Sequence, residues 1–451
     1  MKRSAWRYLW AAKDIRNRLL ITLLILVIYR FAAHVPVPGV NVDAIAGILE
    51  GGGAGGTLVS LLDLVSGGTV SNFSVLAMGV YPYITAQIIL QLLVPIVPAF
   101  QKRMEEDPRE GRKWMEKWTM ILAIPMAALN AVGQINLFST FAGGIPIIDN
   151  FGFSGSSMIP SLTIVVSMTA GTMFAIWLGE LISEYGIRNQ GLSLIIFAGI
   201  VAGLPINFAR IMSDQQSRWF TLGFIIIVMT LIIFAIVFVQ QGRRNVPVMY
   251  PGRRVGNRMS MPVKGTLPLM VNMAGMIPLI FASSLLTFPA IIASFFTQSS
   301  TEWVSNLATT IQNVFGGNSS AYWVLYFLMV VSFTFFYTDI LFQQQNYGEN
   351  LKRVGARIPG VSPGAPTQKY LTRVLRRITL PGALFLGIVA IMPAIITLIL
   401  SGFGVNLSGQ SGVLLVSSAG LLIVVGVVRD TFFNIEAELK IHGYDDNLLV
   451  R

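Results

Sequence analysis

Long apolar segments, separated by clusters of glycine, proline and charge, follow one another along the whole chain. A hydrocarbon core about 30 Å thick needs about 20 helical residues to cross it. Ten segments approach or exceed this length, and they are apolar on all sides rather than along one stripe. They lie at residues 19–35, 72–99, 118–140, 158–182, 191–210, 219–240, 267–296, 322–342, 379–402 and 412–434. The pattern predicts an all-α polytopic membrane protein with ten transmembrane helices.

The composition agrees with this class of protein. Only 12% of the 451 residues are charged and 54% are hydrophobic, whereas a soluble domain is about 25% charged. The chain has no cysteine, which excludes disulfides, thiolate metal sites and cysteine nucleophiles. No nucleotide-binding loop, metal-ligand spacing or nucleophile–base pair occurs, and His34 and His442 fit interfacial and solvated positions. We therefore expect no enzyme, no catalytic residue and no cofactor.

The basic residues predict how the chain is oriented. The leader and the loops after the second, sixth and eighth segments carry 25 of the 32 Lys and Arg, whereas residues 31–101, 138–160 and 297–321 carry none. Basic loops stay on the cytoplasmic side of a membrane, so ten spans place both termini in the cytoplasm. A cleavable signal peptide is the alternative for the first segment. Arg30 and the long basic leader favour a retained span.

The ten spans allow two pseudo-symmetric halves of five, as in inverted-repeat membrane proteins. The second and seventh segments are the proline-rich members at matching positions. We therefore expect a basic cytoplasmic leader at 1–18, an N-terminal half at 19–210, a C-terminal half at 211–434 and a cytoplasmic tail at 435–451.

A short helix is predicted between two glycine clusters, at residues 57–66. Its apolar residues recur at the i, i+3, i+4, i+7 spacing of one helix face, and at 1.5 Å per residue it is about 15 Å long, half a membrane. The residues alone favour a surface helix of an external loop over a movable stopper. The segment runs from Thr57 to Ser66, and its apolar face contains Leu58, Leu61, Leu62 and Val65.

Two cytoplasmic loops, 240–266 and 343–379, are more basic than orientation requires. The first has six basic residues and no acidic one, and the second has seven against Glu349 alone. Attraction to anionic lipid headgroups, about 1 kcal/mol per residue, explains part of this excess. Their proline and glycine content indicates shaped, protruding structures, which suit an acidic protein or RNA phosphates as a docking partner. The candidate docking residues are Arg243, Arg244, Arg253, Arg254 and Arg357.

Several motifs resemble the bacterial SecY family of translocon subunits, in the same order and across nearly the whole chain. They are Gly79–Ile88 (GVYPYITAQI), Ser193–Gly203 (SLIIFAGIVAG), Asn272–Pro278 (NMAGMIP), Ile358-Pro359-Gly360 with Pro363-Gly364, and Leu421–Val425 (LLIVV). The resemblance implies a protein-conducting channel in a bacterial cytoplasmic membrane. It also implies SecE-like and SecG-like small subunits, a SecA-type motor ATPase or the ribosome as partners, and secretory preproteins with their signal sequences as cargo.

The resemblance assigns roles to individual residues. The family's apolar pore ring falls on Val80, Ile84, Leu192, Ile196, Ile280 and Ile423, and the helix 57–66 falls on the family's plug. Ordinary helix packing is the alternative for each ring residue. A sideways exit into the lipid bilayer is implied between spans two and three on one side and spans seven and eight on the other. Polar contacts across that lateral gate are expected from Thr85, Gln87, Gln91 and Asn272.

Two positions depart from the family's pattern. Ser362 stands where the family usually has arginine between the two Pro-Gly pairs, and Arg188 and Gln190 stand where it commonly has glycine. These departures concern partner docking. An inverted-repeat secondary transporter of small molecules and a scaffold that only docks ribosomes are the alternative functions that the sequence leaves open.

Overall fold

The structure is a computed structural model that describes most of the chain. It covers residues 13–40, 73–94, 97–141, 148, 151–152, 157–213, 218–251, 254–255, 258–259, 263–296, 301–315, 319–402 and 411–441. Most of these residues are helical. The predicted plug at 57–66, Arg253 and His442 lie outside the described residues.

The described helices and strands follow one another in this order along the chain. They are α1 (Lys13–Ala32), α2 (Tyr81–Leu93), α3 (Pro98–Glu106), α4 (Pro108–Phe141), α5 (Met158–Tyr185), α6 (Gly191–Ser213), α7 (Arg218–Gln241), β1 (Arg243–Tyr250), β2 (Arg254–Val255), β3 (Arg258–Met259), β4 (Val263–Met270), α8 (Ile277–Ser294), α9 (Glu302–Phe315), α10 (Ser320–Gln344), α11 (Tyr347–Arg353), α12 (Ala365–Gly402) and α13 (Ser411–Ile441).

Five stretches of these helices are long and apolar enough to cross a membrane within the described part of the chain. They are Arg109–Asn136, Met158–Tyr185, Leu222–Gln241, Ser320–Arg353 and Ala365–Ile396. The pair α2 and α3 is a sixth candidate, bent by 96° between Leu93 and Pro98. The chain is thus a multi-pass helical protein. The ten spans remain a prediction, although a described helix overlaps each of the ten predicted segments.

A β-hairpin follows α7, where the sequence indicated only a shaped loop. Strands β1 and β4 pair antiparallel, from Arg243 opposite Met270 to Tyr250 opposite Val263. Val246 and Val248 are buried and their neighbours along β1 are exposed, which is the alternation expected of a strand with one covered face. Residues 267–270, which the sequence placed at the start of the seventh span, belong to this hairpin.

The described residues form two compact units. The first takes its residues from Met1–Ile226, Ser283–Tyr322 and Pro393–Arg451. Its main core joins residues of α4, α5 and α8 with the segment before α2. Phe73 and Phe138 meet there edge to face, with 5.3 Å between ring centroids.

The second unit takes its residues from Ile227–Ala282 and Trp323–Met392. Its core packs the hairpin against the end of α10, against α11 and against the first turns of α12. Val246, Leu269, Phe342, Leu351 and Leu375 are among its buried members. Both basic loops therefore fold onto one apolar core.

Candidate functional site

The predicted pore-ring residues of the first unit lie on three helices or at their starts. Val80 directly precedes α2, and Ile84 lies one turn into it. Both are buried, as are Ile196 on α6 and Ile423 on α13, and α6 packs against α13. Their burial agrees with an apolar constriction and with ordinary helix packing alike.

The other two predicted ring residues, Leu192 and Ile280, differ from these four in burial or in the unit to which they belong. Leu192 on α6 is half-buried, and its Cδ2 atom approaches the α5 backbone so closely that a Cβ added at Gly179 would lie 2.8 Å from it. Ile280 belongs to the second unit, where it is 6% exposed.

A seam between α2 and α8 lies within the first unit. The Tyr81 hydroxyl on α2 donates a hydrogen bond of 3.2 Å to the carbonyl oxygen of Ser284 on α8. Tyr81 is 5% exposed and Ser284 is 2% exposed. Because a buried hydroxyl without a partner is costly, this bond stabilises the contact between the two helices.

The seam continues between α4 and α8. A Cβ added at Gly133 on α4 would overlap the Cγ2 atom of Ile291 on α8, so the two helices approach as closely as glycine allows. Ala131 and Ala290 lie in the same buried cluster. Small residues of this kind allow close packing of helices in membranes.

Two buried amides on α4 were missed by the sequence analysis. Asn130 and Gln134, one turn apart on either side of Gly133, are 3% and 4% exposed. Both amide atoms of Asn130 and Oε1 of Gln134 have no hydrogen-bond partner among the described residues. Uncharged amides at i, i+4 spacing inside an apolar segment are costly in a membrane, and this spacing was the available signal.

The predicted polar gate residues make local hydrogen bonds in this structure. Thr85 Oγ1 donates to the carbonyl oxygen of Tyr81 on the same helix at 2.9 Å. Asn272 Nδ2 donates to the carbonyl oxygen of Gly275 at 3.1 Å. Gln87 and Gln91 are half-buried on α2, and Gln91 Oε1 has no partner among the described residues. A direct bond across the seam comes from Tyr81, which the sequence analysis did not select.

The two basic loops meet in the second unit. Met249 on β1 and Arg357 exchange both backbone hydrogen bonds, 2.8 Å and 2.9 Å long. Lys264 on β4 lies opposite Met249 in the hairpin register, so Lys264 and Arg357 lie on either side of that residue. Arg357 lies more than ninety residues after the hairpin, so no local sequence pattern predicts this arrangement.

A groove lies beside Arg357. It has a volume of about 380 Å³ and runs along the two Pro-Gly pairs, from Met249 and Arg357 to Ser362 and Pro363. The carbonyl oxygen of Ser362 accepts a bond of 2.8 Å from the Thr367 hydroxyl, which fixes the loop at the position that departs from the family.

The other docking candidates lie on the hairpin. Arg243 and Arg244 are exposed at the base of β1. Arg254 lies on β2, and its side chain is outside the described part of the structure.

The turn after α5 is tied to other helices of the first unit. Glu438 on α13 accepts from Arg18 at 2.6 Å and pairs with Arg188 at 3.5 Å. Asn434 Nδ2 also donates to the carbonyl oxygen of Arg188 at 3.3 Å. Arg188, which departs from the family pattern, thus contributes to a contact within the chain.

Long apolar helices, a buried helix seam and a basic hairpin packed on an apolar core define a multi-pass helical membrane protein. The family model for SecY matches residues 74–432. The protein translocase subunit SecY of Streptomyces galbus is 35% identical over 98% of this chain and 99% of its own length. That of Aquifex aeolicus is 37% identical over 96% of both chains. The chain belongs to the SecY family.

Solved structures show the same fold. A structure of a protein conducting channel matches with a TM-score of 0.57 at 18% identity and covers 94% of this chain and 95% of its own. Sec61 from a canine ribosome-channel complex of the endoplasmic reticulum matches with a TM-score of 0.55 at 17% identity, covering 94% of each chain.

Proposed function

We propose that the chain is the channel-forming subunit of a protein translocase. It passes unfolded secretory polypeptides across the membrane and releases apolar segments sideways into the bilayer. The match to the SecY family over residues 74–432 carries this proposal. A channel subunit of this kind performs no covalent chemistry, so the chain is not an enzyme.

The waist of the channel is proposed to be apolar. Val80, Ile84, Ile196 and Ile423 are buried aliphatic residues from three helix segments of the first unit. An apolar constriction excludes ions by dewetting. It also offers a passing chain no hydrogen bond that must be broken, so passage does not depend on the cargo's sequence.

The α2–α8 and α4–α8 seam is proposed to be the lateral gate in its closed arrangement. Polar contacts between membrane helices contribute only about 0.6 kcal/mol on average, which an incoming apolar signal helix can replace with its own packing. The buried amides of Asn130 and Gln134 add to this instability, because buried polar atoms without hydrogen-bond partners are costly.

The hairpin and the Arg357 groove are proposed to receive the cytoplasmic partner, a SecA-type motor ATPase or the ribosome. The apolar core beneath both loops supports this role, since a preorganised surface loses little entropy on binding. SecE-like and SecG-like small subunits complete the assembly. We propose that the chain lies in a bacterial cytoplasmic membrane, as the resemblance to bacterial SecY implies, with both termini inside, which the distribution of basic residues supports.

Reconstitution tests the function. Proteoliposomes with this chain, the two small subunits and a motor ATPase should protect a secretory preprotein from external protease when ATP is present. Liposomes without this chain serve as the control. Solute-driven uptake by the chain alone, without any protection of preprotein, would favour the transporter instead.

A further inference from the structure

A basic pocket lies beside the first turns of α12 and shares no lining residue with the Arg357 groove. It has a volume of about 850 Å³, which is within the range of small-molecule sites. Four of its lining residues are cationic, and Glu349 is its acidic member. The four cations are Lys369, Arg373, Arg376 and Arg377.

Three of these cations have no ion-pair partner among the described residues. Arg376 pairs with Asp339 at 2.7 Å, and Glu349 pairs with Lys352 at 3.8 Å. The side chains of Lys369, Arg373 and Arg377 are exposed, and none of the three forms an ion pair with a described residue. The pocket therefore carries excess positive charge.

If α12 spans a membrane, its apolar length puts the pocket at the depth of the lipid headgroups. The apolar part of α12, residues 378–396, is about 28 Å long at 1.5 Å per residue, which matches a hydrocarbon core of about 30 Å. The preceding residues 365–377 extend about 20 Å beyond it. Arg373 and Arg377 thus lie within the last turns before the hydrocarbon begins.

The same face of α12 continues as an apolar ridge. Leu380 lines the pocket, and Leu384 and Ile388 follow at spacings of four residues. All three are between 42% and 53% exposed. At 3.6 residues per turn they fall within the same arc of about 100° as Lys369, Arg373 and Arg377. One helix face therefore presents cations first and exposed aliphatic side chains next.

We propose that this face of α12 binds an anionic phospholipid. The phosphate lies among Lys369, Arg373 and Arg377, and the acyl chains lie along Leu380, Leu384 and Ile388. Arginine offers two parallel N–H donors to a phosphate group. A free phosphate would use the cations but not the ridge, and an RNA or protein partner would bind farther from the hydrocarbon. The site goes beyond the proposed channel function and does not depend on it.

Fluorescence quenching in nanodiscs tests the site. Because the chain has no cysteine, a fluorophore on a Gln343→Cys variant reports on the pocket that Gln343 lines. The nanodiscs consist mainly of phosphatidylcholine. A small fraction of the lipid carries a nitroxide near the headgroup, and this labelled lipid is phosphatidylglycerol in one sample and phosphatidylcholine in the other. We expect labelled phosphatidylglycerol to quench more strongly. Changing Lys369, Arg373 and Arg377 to Gln should lower that preference by about fivefold per charge.

A matched control separates the site from general attraction. Changing Arg243, Arg244 and Lys264 to Gln removes the same charge from the hairpin and should leave the preference intact. Equal loss in both triple variants, or no preference in the parent, would overturn the proposal. Displacement of the labelled lipid by inorganic phosphate at constant ionic strength would assign the pocket to free phosphate. A triple variant that loses motor binding but keeps the lipid preference would assign it to docking.

Discussion

At the scale of single residues, glycines set how closely the helices approach. A Cβ added at Gly171 on α5 would overlap the backbone carbonyl oxygen of Val75, which precedes α2, whereas at Gly223 on α7 nothing lies within 4 Å. Backbone atoms in a packed core move little, so an added methyl group there causes strain.

The two glycines make a matched pair for measurement. Gly171→Ala should lower the free energy of unfolding by about 1–3 kcal/mol. Gly223→Ala should leave it unchanged or raise it by up to about 1 kcal/mol, since alanine favours a helix over glycine. Denaturant unfolding of both variants in the same detergent checks this. Equal stabilities of the two variants would contradict the close packing of α5 on the segment before α2.

The family motifs also have a residue-scale explanation. Gly79 and Gly275 have φ angles of +50° and +65°, a region that glycine enters without steric cost. Each lies shortly before a helix that carries proline near its start, Pro82 on α2 and Pro278 on α8. The two motifs thus encode sharp entries into the two helices that meet at the seam. The seam's own contacts were not predictable, because neither the Tyr81–Ser284 bond nor the Gly133–Ile291 approach has a local signature.

At the scale of helices and strands, apolar length located the helices but not their ends. The sequence predicted a span from residue 379, whereas α12 begins at Ala365. Its first turns are polar and basic, and an apolar-run criterion does not detect them. Conversely, residues 267–270 are apolar but belong to β4. Their strand conformation depends on pairing with β1, which lies more than ten residues earlier.

The α2–α8 contact gives a prediction at this scale. Tyr81→Phe removes a buried hydrogen bond, typically about 0.5–1.5 kcal/mol, from the closed seam. The fraction of open seams, and with it ion leakage through reconstituted bilayers, should rise about 2- to 10-fold. Tyr83→Phe is the matched control, because Tyr83 packs on the other side of α2 against Ala86, Ala123 and Ile176. Equal leakage in both variants would show that this bond does not hold the seam.

The contact between the two basic loops gives a second prediction at this scale. Arg357→Glu should weaken motor or ribosome binding by at least tenfold and flatten its salt dependence, because a cation beside the groove becomes an anion. Arg353→Glu makes the same charge change in an exposed residue of α11 that does not line the groove. Binding of the motor or ribosome to both variants, measured over a salt series, checks this prediction. Loss of equal size in both variants would indicate general charge attraction rather than the groove.

At the scale of the whole molecule, the low charge content and the positive net charge come from different parts of the structure. The low charge content reflects long apolar helices, several of which meet the criteria for membrane spans. The net charge of +11 comes mainly from basic segments between the apolar ones, two of which fold onto a common core. We propose two roles for the cations of these two loops. Arg357 and the hairpin dock a partner, and Lys369, Arg373 and Arg377 form a lipid site. The sequence alone allowed both interpretations of these loops and named candidate docking residues, but it did not single out residues for a lipid site.

Site-specific cross-linking of a halted preprotein tests the channel most directly. A photoreactive residue replaces Ile84 at the proposed waist or Leu384 on the exposed ridge of α12, and translocation is stopped with the polypeptide half across. We expect cross-links to the polypeptide from position 84 and to lipid from position 384. Cross-links to the polypeptide from position 384 but not from position 84, with the preprotein still protected from protease, would contradict a path through this chain's apolar waist.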